Sequence, residues 1–255
     1  MNYKRKILIV LLVILILTAV AGCSLSKNNE VKDNGENTPE LPTEIENWIE
    51  NSKKIFLGQA YEYEDKLYIL VTYGEKPTGG YTVEILEIND KPEALEITVN
   101  FSEPEPDQTV TQAITYPYDL KIADPTDKEI IFNAQGSELF LPTLLGIDKL
   151  EQIVAGKDGI MVFEPAPNSK TGKSVSFRGV ANTFEGTVNY RLETMNDEKL
   201  LEGFTTGAMA DWGYFEETIE VPDTAPEELK LRIFTYSAED GSIQNEFVIP
   251  FTVSE

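Results

Sequence analysis

Short runs of alternating apolar and polar residues, cut by Gly, Pro, Asn and Asp, recur from residue 55 to residue 252. No other feature constrains the fold as strongly. A period of two puts successive side chains on opposite faces, as in a strand with one buried face. Residues 81–88, for much of their length, and 95–101 are such runs, and residues 66–73 are rich in strand formers. Gly79-Gly80, Asn89-Asp90-Lys91-Pro92 and Pro104-Glu105-Pro106-Asp107 supply the turns that separate and close them. A second series occupies 160–163, 173–181, 187–193, 200–205, 214–221, 228–236 and 243–252. Spacing of about 8–15 residues predicts a seven-stranded antiparallel sandwich. With one Cys in the chain no disulfide can bridge its sheets, so apolar packing must hold them. Phe177, Val188, Tyr190, Leu192, Phe215, Ile219, Leu231, Ile233, Phe247 and Ile249 are the expected core.

Helix signals are few. Thr43 and Glu46 have capping-box spacing, and Ile45, Trp48 and Ile49 share a helical face. A short helix is expected there, packed on the first β domain. Leu144, Ile147, Leu150, Ile153 and Val154 also recur at helical spacing, closed by Gly156. This predicts a second helix of about 12 residues in a connector. The expected fold class is all-β: two β domains joined by a short connecting helix.

The N-terminus speaks to location. Lys4, Arg5 and Lys6 precede an unbroken apolar run from Ile7 to Leu17, then small residues lead to Cys23. The run falls short of the roughly 20 residues a spanning helix needs, and it reads as a secretory signal rather than an uncleaved anchor. Val20-Ala21-Gly22-Cys23 resembles the bacterial lipobox. That resemblance implies cleavage between Gly22 and Cys23 and a diacylglyceryl group on the Cys23 thiol. Two acyl chains suffice for stable anchoring. Residues 24–42, polar and Pro-containing, read as a tether. The expected layout is a signal at 1–22, lipidated Cys23 and tether to 42, a β domain at 43–124, a connector at 125–157 and a second β domain at 158–255. The expected location is the outer face of a bacterial plasma membrane, in a Gram-positive host.

Charge narrows the function classes. Lys+Arg 21 against Asp+Glu 44 gives −23, and there is no His. Signal cleavage removes Lys4, Arg5 and Lys6 and no acid, which takes the charge to −26. A Ser-His-Asp triad and a His metal site are excluded, and no nucleic-acid partner is expected. No cofactor and no metal site is expected either. Acidity should repel anionic wall polymers unless cations bridge them, so wall association should depend on metal ions.

Two family resemblances follow from local runs. Glu164-Pro165-Ala166-Pro167-Asn168, Val175-Ser176-Phe177-Arg178-Gly179-Val180-Ala181, Phe184-Glu185-Gly186-Thr187-Val188, Gly213-Tyr214-Phe215 and Phe247-Val248-Ile249-Pro250-Phe251 resemble the immunoglobulin-like domain of bacterial spore germination proteins. This implies an immunoglobulin-like sandwich over roughly 158–254. Gly74 to Ile85 (GEKPTGGYTVEI) and Thr115-Tyr116-Pro117-Tyr118 resemble the C-terminal domain of the protease-complex-complementing protein family. That resemblance covers about 55–124 and implies a role in assisting a protease. Neither carries catalytic residues across.

Individual candidates are weighed on chemistry. Gly172-Lys173-Ser174 lacks the earlier Gly of a phosphate loop, since position 167 is Pro, and it leads into a strand pattern. Ser24-Leu25-Ser26-Lys27 lies in the tether, where no scaffold could tune the Lys. Thr78-Gly79-Gly80-Tyr81 is either a binding loop with Tyr81 as aromatic contact or a tight turn, and the steric role of Gly favours the turn. Asp211, Trp212 and Tyr214 are either an exposed aromatic platform or a cap over the end of the sandwich, the cap being favoured. Glu103, Glu105, Asp107, Asp124 and Asp127 are expected to be a solvated surface rather than a glycosidase pair or calcium site. The leading expectation is a non-enzymatic, membrane-anchored interaction module for envelope or sporulation-related proteins or cell-wall polymer. The alternatives are an accessory chaperone or modulator of an extracytoplasmic protease and, third, a carboxylate-based wall hydrolase.

Overall fold

The computed structural model describes residues 41–254. Helix α1 (Thr43–Ser52) opens them and buries Ile45, Trp48, Ile49 and Ser52. This is the face its sequence marks as apolar. Its start differs from the expected capping box. Thr43 is already helical, no side chain caps the end, and the amides of Ile45 and Glu46 donate to the Pro42 carbonyl at 2.9 and 3.1 Å. Proline presets an extended entry, so its own carbonyl does the work expected of the Thr43 hydroxyl.

Six strands build the first half: β1 (Phe56–Tyr63), β2 (Lys66–Tyr73), β3 (Thr82–Asp90), β4 (Ala94–Ser102), β5 (Tyr118–Ala123) and β6 (Glu129–Gly136). They form two three-stranded sheets, in orders β1-β2-β5 and β3-β4-β6. Between the sheets, Ile69, Val71 and Tyr73 meet Ile97, Val99 and Phe101, all at most 1% exposed. The Phe101 ring lies 4.8 Å from Tyr73 and 5.3 Å from Phe56. On the outer face of the first sheet, α1 packs against Tyr68 and Leu70.

The connector expected at 125–157 is not as the sequence reading placed it. Its first part is β6, parallel to β4 with Ala94 opposite Glu129 and Phe101 opposite Gly136. The helix expected over 144–154 is absent. In its place are β7 (Leu144–Leu145), bends, and β8 (Ala155–Lys157). Gly146 adopts φ +88, which no L-residue helix continues through. The apolar spacing arises because an extended segment dips repeatedly into a buried joint, not because one helical face repeats. The single α-helix among the described residues is α1.

The second half follows the expected strand series closely: β9 (Ile160–Glu164), β11 (Ser174–Ala181), β12 (Thr187–Thr194), β13 (Lys199–Thr206), β14 (Trp212–Glu220), β15 (Glu228–Tyr236) and β16 (Ile243–Val253). The short β10 (Lys170–Thr171) precedes β11 in the chain. Two five-stranded sheets result, β7-β14-β11-β9-β8 and β10-β16-β15-β12-β13. Antiparallel pairing dominates, while β7 and β10 add to β14 and β16 in parallel. Nine of the ten expected core residues are buried between these sheets, and Phe247 packs against them half-buried. Gly179 is required at the β9–β11 bulge, where a Cβ would lie 2.1 Å from the Met161 carbonyl oxygen.

Candidate functional site

The Thr78–Tyr81 feature is a packed turn. Gly80 adopts φ +89, and a Cβ there would meet Val110 Cγ1 at 2.8 Å and Pro104 Cβ at 2.9 Å. The loop pairs with residues 111–115: Lys76 and Thr115 exchange backbone hydrogen bonds of 2.9 and 3.0 Å, and the Gly79 amide donates to Thr111 O at 2.9 Å. The Thr115 hydroxyl donates to Thr78 O at 2.8 Å. Tyr81 is half-buried against the first core, its ring 6.1 Å from Tyr73. The Lys76 ammonium sits 3.5 Å from the Tyr73 ring centroid and 5.3 Å from that of Tyr81. Burial lowers the Lys76 pKa, against the opposing pull of Glu138 and Glu103. Burial also raises the Tyr73 phenol, whose oxygen lies 2.9 Å from Ser137 Oγ. This is a cation held on aromatic faces.

Asp211, Trp212 and Tyr214 lie at the joint between the two halves. The exposed platform does not form, because Trp212 is only 7% exposed. Its indole packs among Ile55 and Leu57 of the first half, Leu150 of the connector, and Phe163 and Val180 of the second. The Trp212 Nε1 donates to the Phe56 carbonyl at 3.1 Å. One Asp211 carboxylate oxygen accepts from the Thr143 amide at 2.7 Å and its hydroxyl at 3.0 Å. Tyr214 packs against the same cluster and donates its hydroxyl to Glu216 at 3.1 Å. The indole therefore lies with Val180 and Phe163 on the outer face of the β14-β11-β9 sheet, beneath the first half of the chain, rather than over an open end of the sandwich. Arg178 braces the joint by donating to Glu151 of the connector at 2.6 Å and Glu164 of β9 at 3.0 Å. Those two carboxylates raise the Arg178 pKa.

Other candidates are dispersed. Lys173 pairs with Asp223, and Ser174 opens β11 with its hydroxyl on Glu220 at 2.9 Å. Glu103, Glu105, Asp107, Asp124 and Asp127 are exposed. Among the described residues no three His, Cys, Asp or Glu side chains are grouped to hold a metal ion. Gly22, Cys23 and the Ser24–Lys27 run lie outside the described residues.

What sequence reasoning missed is the seam where β1 and β6 face each other. Each is the terminal strand of its sheet. Two adjoining hollows of about 390 and about 260 Å³ run along it and share Ala60, Ile130 and Asp148. The alternation of Ile130, Phe132 and Ala134 was the available signal for β6.

Fold and surfaces together define a class: a two-part, all-β protein whose second half is an immunoglobulin-like sandwich. Residues 159–242 match the family model described as the immunoglobulin-like domain of bacterial spore germination. Residues 67–122 match the model described as PrcB C-terminal. No curated protein matches the chain. Both matched domains are non-catalytic in kind and compatible with an envelope-associated binding module linked to germination.

Proposed function

We propose that the chain is a lipid-anchored, non-enzymatic binding module of the bacterial cell envelope, linked to sporulation or germination. The match of residues 159–242 to a germination-type immunoglobulin-like domain carries this reading. The lipobox-like run ending at Cys23 supports an anchor on the outer face of the plasma membrane. The partner is an envelope protein or cell-wall polymer. Pull-down from solubilised envelopes with the full chain tests it. A reproducible protein or glycan is the expected result, and its absence would sink the idea. Labelled fatty acid should be incorporated into the chain and lost in Cys23→Ser, whereas no incorporation into the wild type would refute the lipid anchor.

The PrcB C-terminal match over residues 67–122 favours a second reading, a modulator of an extracytoplasmic protease. Deleting the first half is a poor test, because Ile55 and Leu57 belong to the shared joint. Comparing secreted protease activity between cells with and without the intact gene is cleaner. An unchanged protease profile would remove this reading.

A further inference from the structure

We propose that the seam between β1 and β6 accepts an extended peptide segment carrying Lys or Arg, added as a strand to the open edge of β1. Two independent observations meet there. The first is an unfinished edge. β1 pairs with β2 on one side, closed by the two-residue turn Glu64-Asp65 with φ +49 and +59. On its other side the Phe56 carbonyl accepts from Trp212 Nε1, the Gly58 amide donates to Pro142 O at 2.8 Å, and Gly58 bridges Thr143 in parallel, which leaves Ala60 and Glu62 without a backbone partner on that side among the described residues. The chain thus already adds one segment of itself to this edge. Past Gly146 it leaves the strand pairing but stays beside β1, where Lys149 Nζ donates to Tyr61 Oη at 3.3 Å and the Leu150 amide to Gln59 Oε1 at 3.0 Å. Backbone groups alternate in direction along a strand, so Ala60 and Glu62 point theirs the same way as Gly58, into the seam. An unpaired edge of this kind templates strand addition.

The second observation is the chemistry of the hollow. Ile130 and Phe132 of β6, with Leu144 and Ile147 of the connector, give it apolar walls. Glu62, Glu129 and Asp148 form its rim, all exposed and none in a salt bridge or side-chain hydrogen bond among the described residues. An extended segment places alternate side chains on opposite faces. Apolar residues at every second position suit the walls, and Lys or Arg between them suits the rim. β1 begins, and β6 lies, outside residues 67–122. The seam is therefore a feature of this chain beyond its match to the PrcB C-terminal model. The inference rests on reading the chain as a binding module and adds the place and the partner's chemistry.

The test uses the full chain in detergent and two probes. One is a capped peptide of four Val-Lys repeats. The other has the same sequence with alternate backbone amides N-methylated, which keeps charge and side chains but removes one bonding edge. The unmodified peptide should bind at least about tenfold more tightly, the worth of one or two hydrogen bonds. Hydrogen exchange at the Ala60 and Glu62 amides should slow when it binds. The variant Glu62→Lys/Glu129→Lys/Asp148→Lys replaces only exposed, unpaired side chains and should weaken binding about tenfold or more. Equal binding of both peptides would show mere attraction to an acidic surface and overturn the proposal. So would no binding, protection elsewhere, or sedimentation showing a second copy of the chain on this edge. The outcomes separate from those of the envelope pull-down: an empty pull-down with a working titration removes the envelope role alone, and the reverse removes the seam alone.

Discussion

Gln59 illustrates how much one side chain can organise. It is 3% exposed on β1, and its Oε1 accepts from Trp48 Nε1 and from the Leu150 amide, both at 3.0 Å. Its Nε2 donates to Ser52 Oγ at 2.9 Å. One amide thus ties α1 to the first sheet and the sheet to the connector. Gln59→Leu keeps the volume but strands two buried donors, and each such loss costs about 1–3 kcal/mol. A fall in unfolding free energy of roughly 2–4 kcal/mol in urea titration is expected on that basis. A change below about 0.5 kcal/mol would mean the bonds contribute little. Gly80→Ala should also destabilise, by about 1–2 kcal/mol from the left-handed backbone alone. The clash with Val110 and Pro104 adds to that cost. Thermal unfolding checks it, and an unchanged midpoint would show that the turn relaxes freely. The Gly79-Gly80 turn was legible because only Gly meets that backbone demand cheaply. Gln59 was not, since nothing in a sequence marks which amide finds three partners.

At the scale of elements, legibility followed locality. Strands β11 to β16 were readable because each pairs antiparallel with a neighbour across the sheet and alternates over one buried face. β6 was missed because its partner β4 is parallel and distant in sequence, so no turn announces the pairing. The segment 144–154 was misread because contacts with a joint can mimic helical spacing. Arg178 shows what such a segment does instead, linking β11 to β9 and to the connector. Its guanidinium holds the Glu164 carboxyl below the ordinary value of 4.5. The folded chain therefore takes up that proton less readily than the unfolded chain. The stabilisation is fully present above pH 4.5 and is lost as pH falls through the depressed folded value. Chemical denaturation between pH 6 and 3 should show stability falling at the acid end, and falling less steeply for Glu164→Gln. Parallel profiles for the two proteins would show that this ion pair contributes nothing to acid sensitivity.

At the scale of the molecule, the two halves share a third core. Ile55, Leu57, Leu150, Phe163, Val180 and Trp212 come from the first half, the connector and the second half, and all are buried. Such a joint is unlike a loose tandem, whose domains would unfold independently. The chain contains two Trp, and each reports on a different place: Trp48 lies on the buried face of α1 against the first sheet and Trp212 in the joint. Trp212→Phe leaves Trp48 fluorescence to follow the first half, and Trp48→Phe leaves Trp212 to follow the joint. If the joint couples the halves, each single-Trp protein should give a fluorescence transition that coincides with its own circular-dichroism transition. Trp212→Ala removes the largest side chain in the joint and leaves the Phe56 carbonyl without its donor, at a cost of about 3–5 kcal/mol. Calorimetry should then resolve two transitions where the wild type gives one. Two transitions in the wild type would show instead that the halves unfold separately and that Trp212 merely fills space between them.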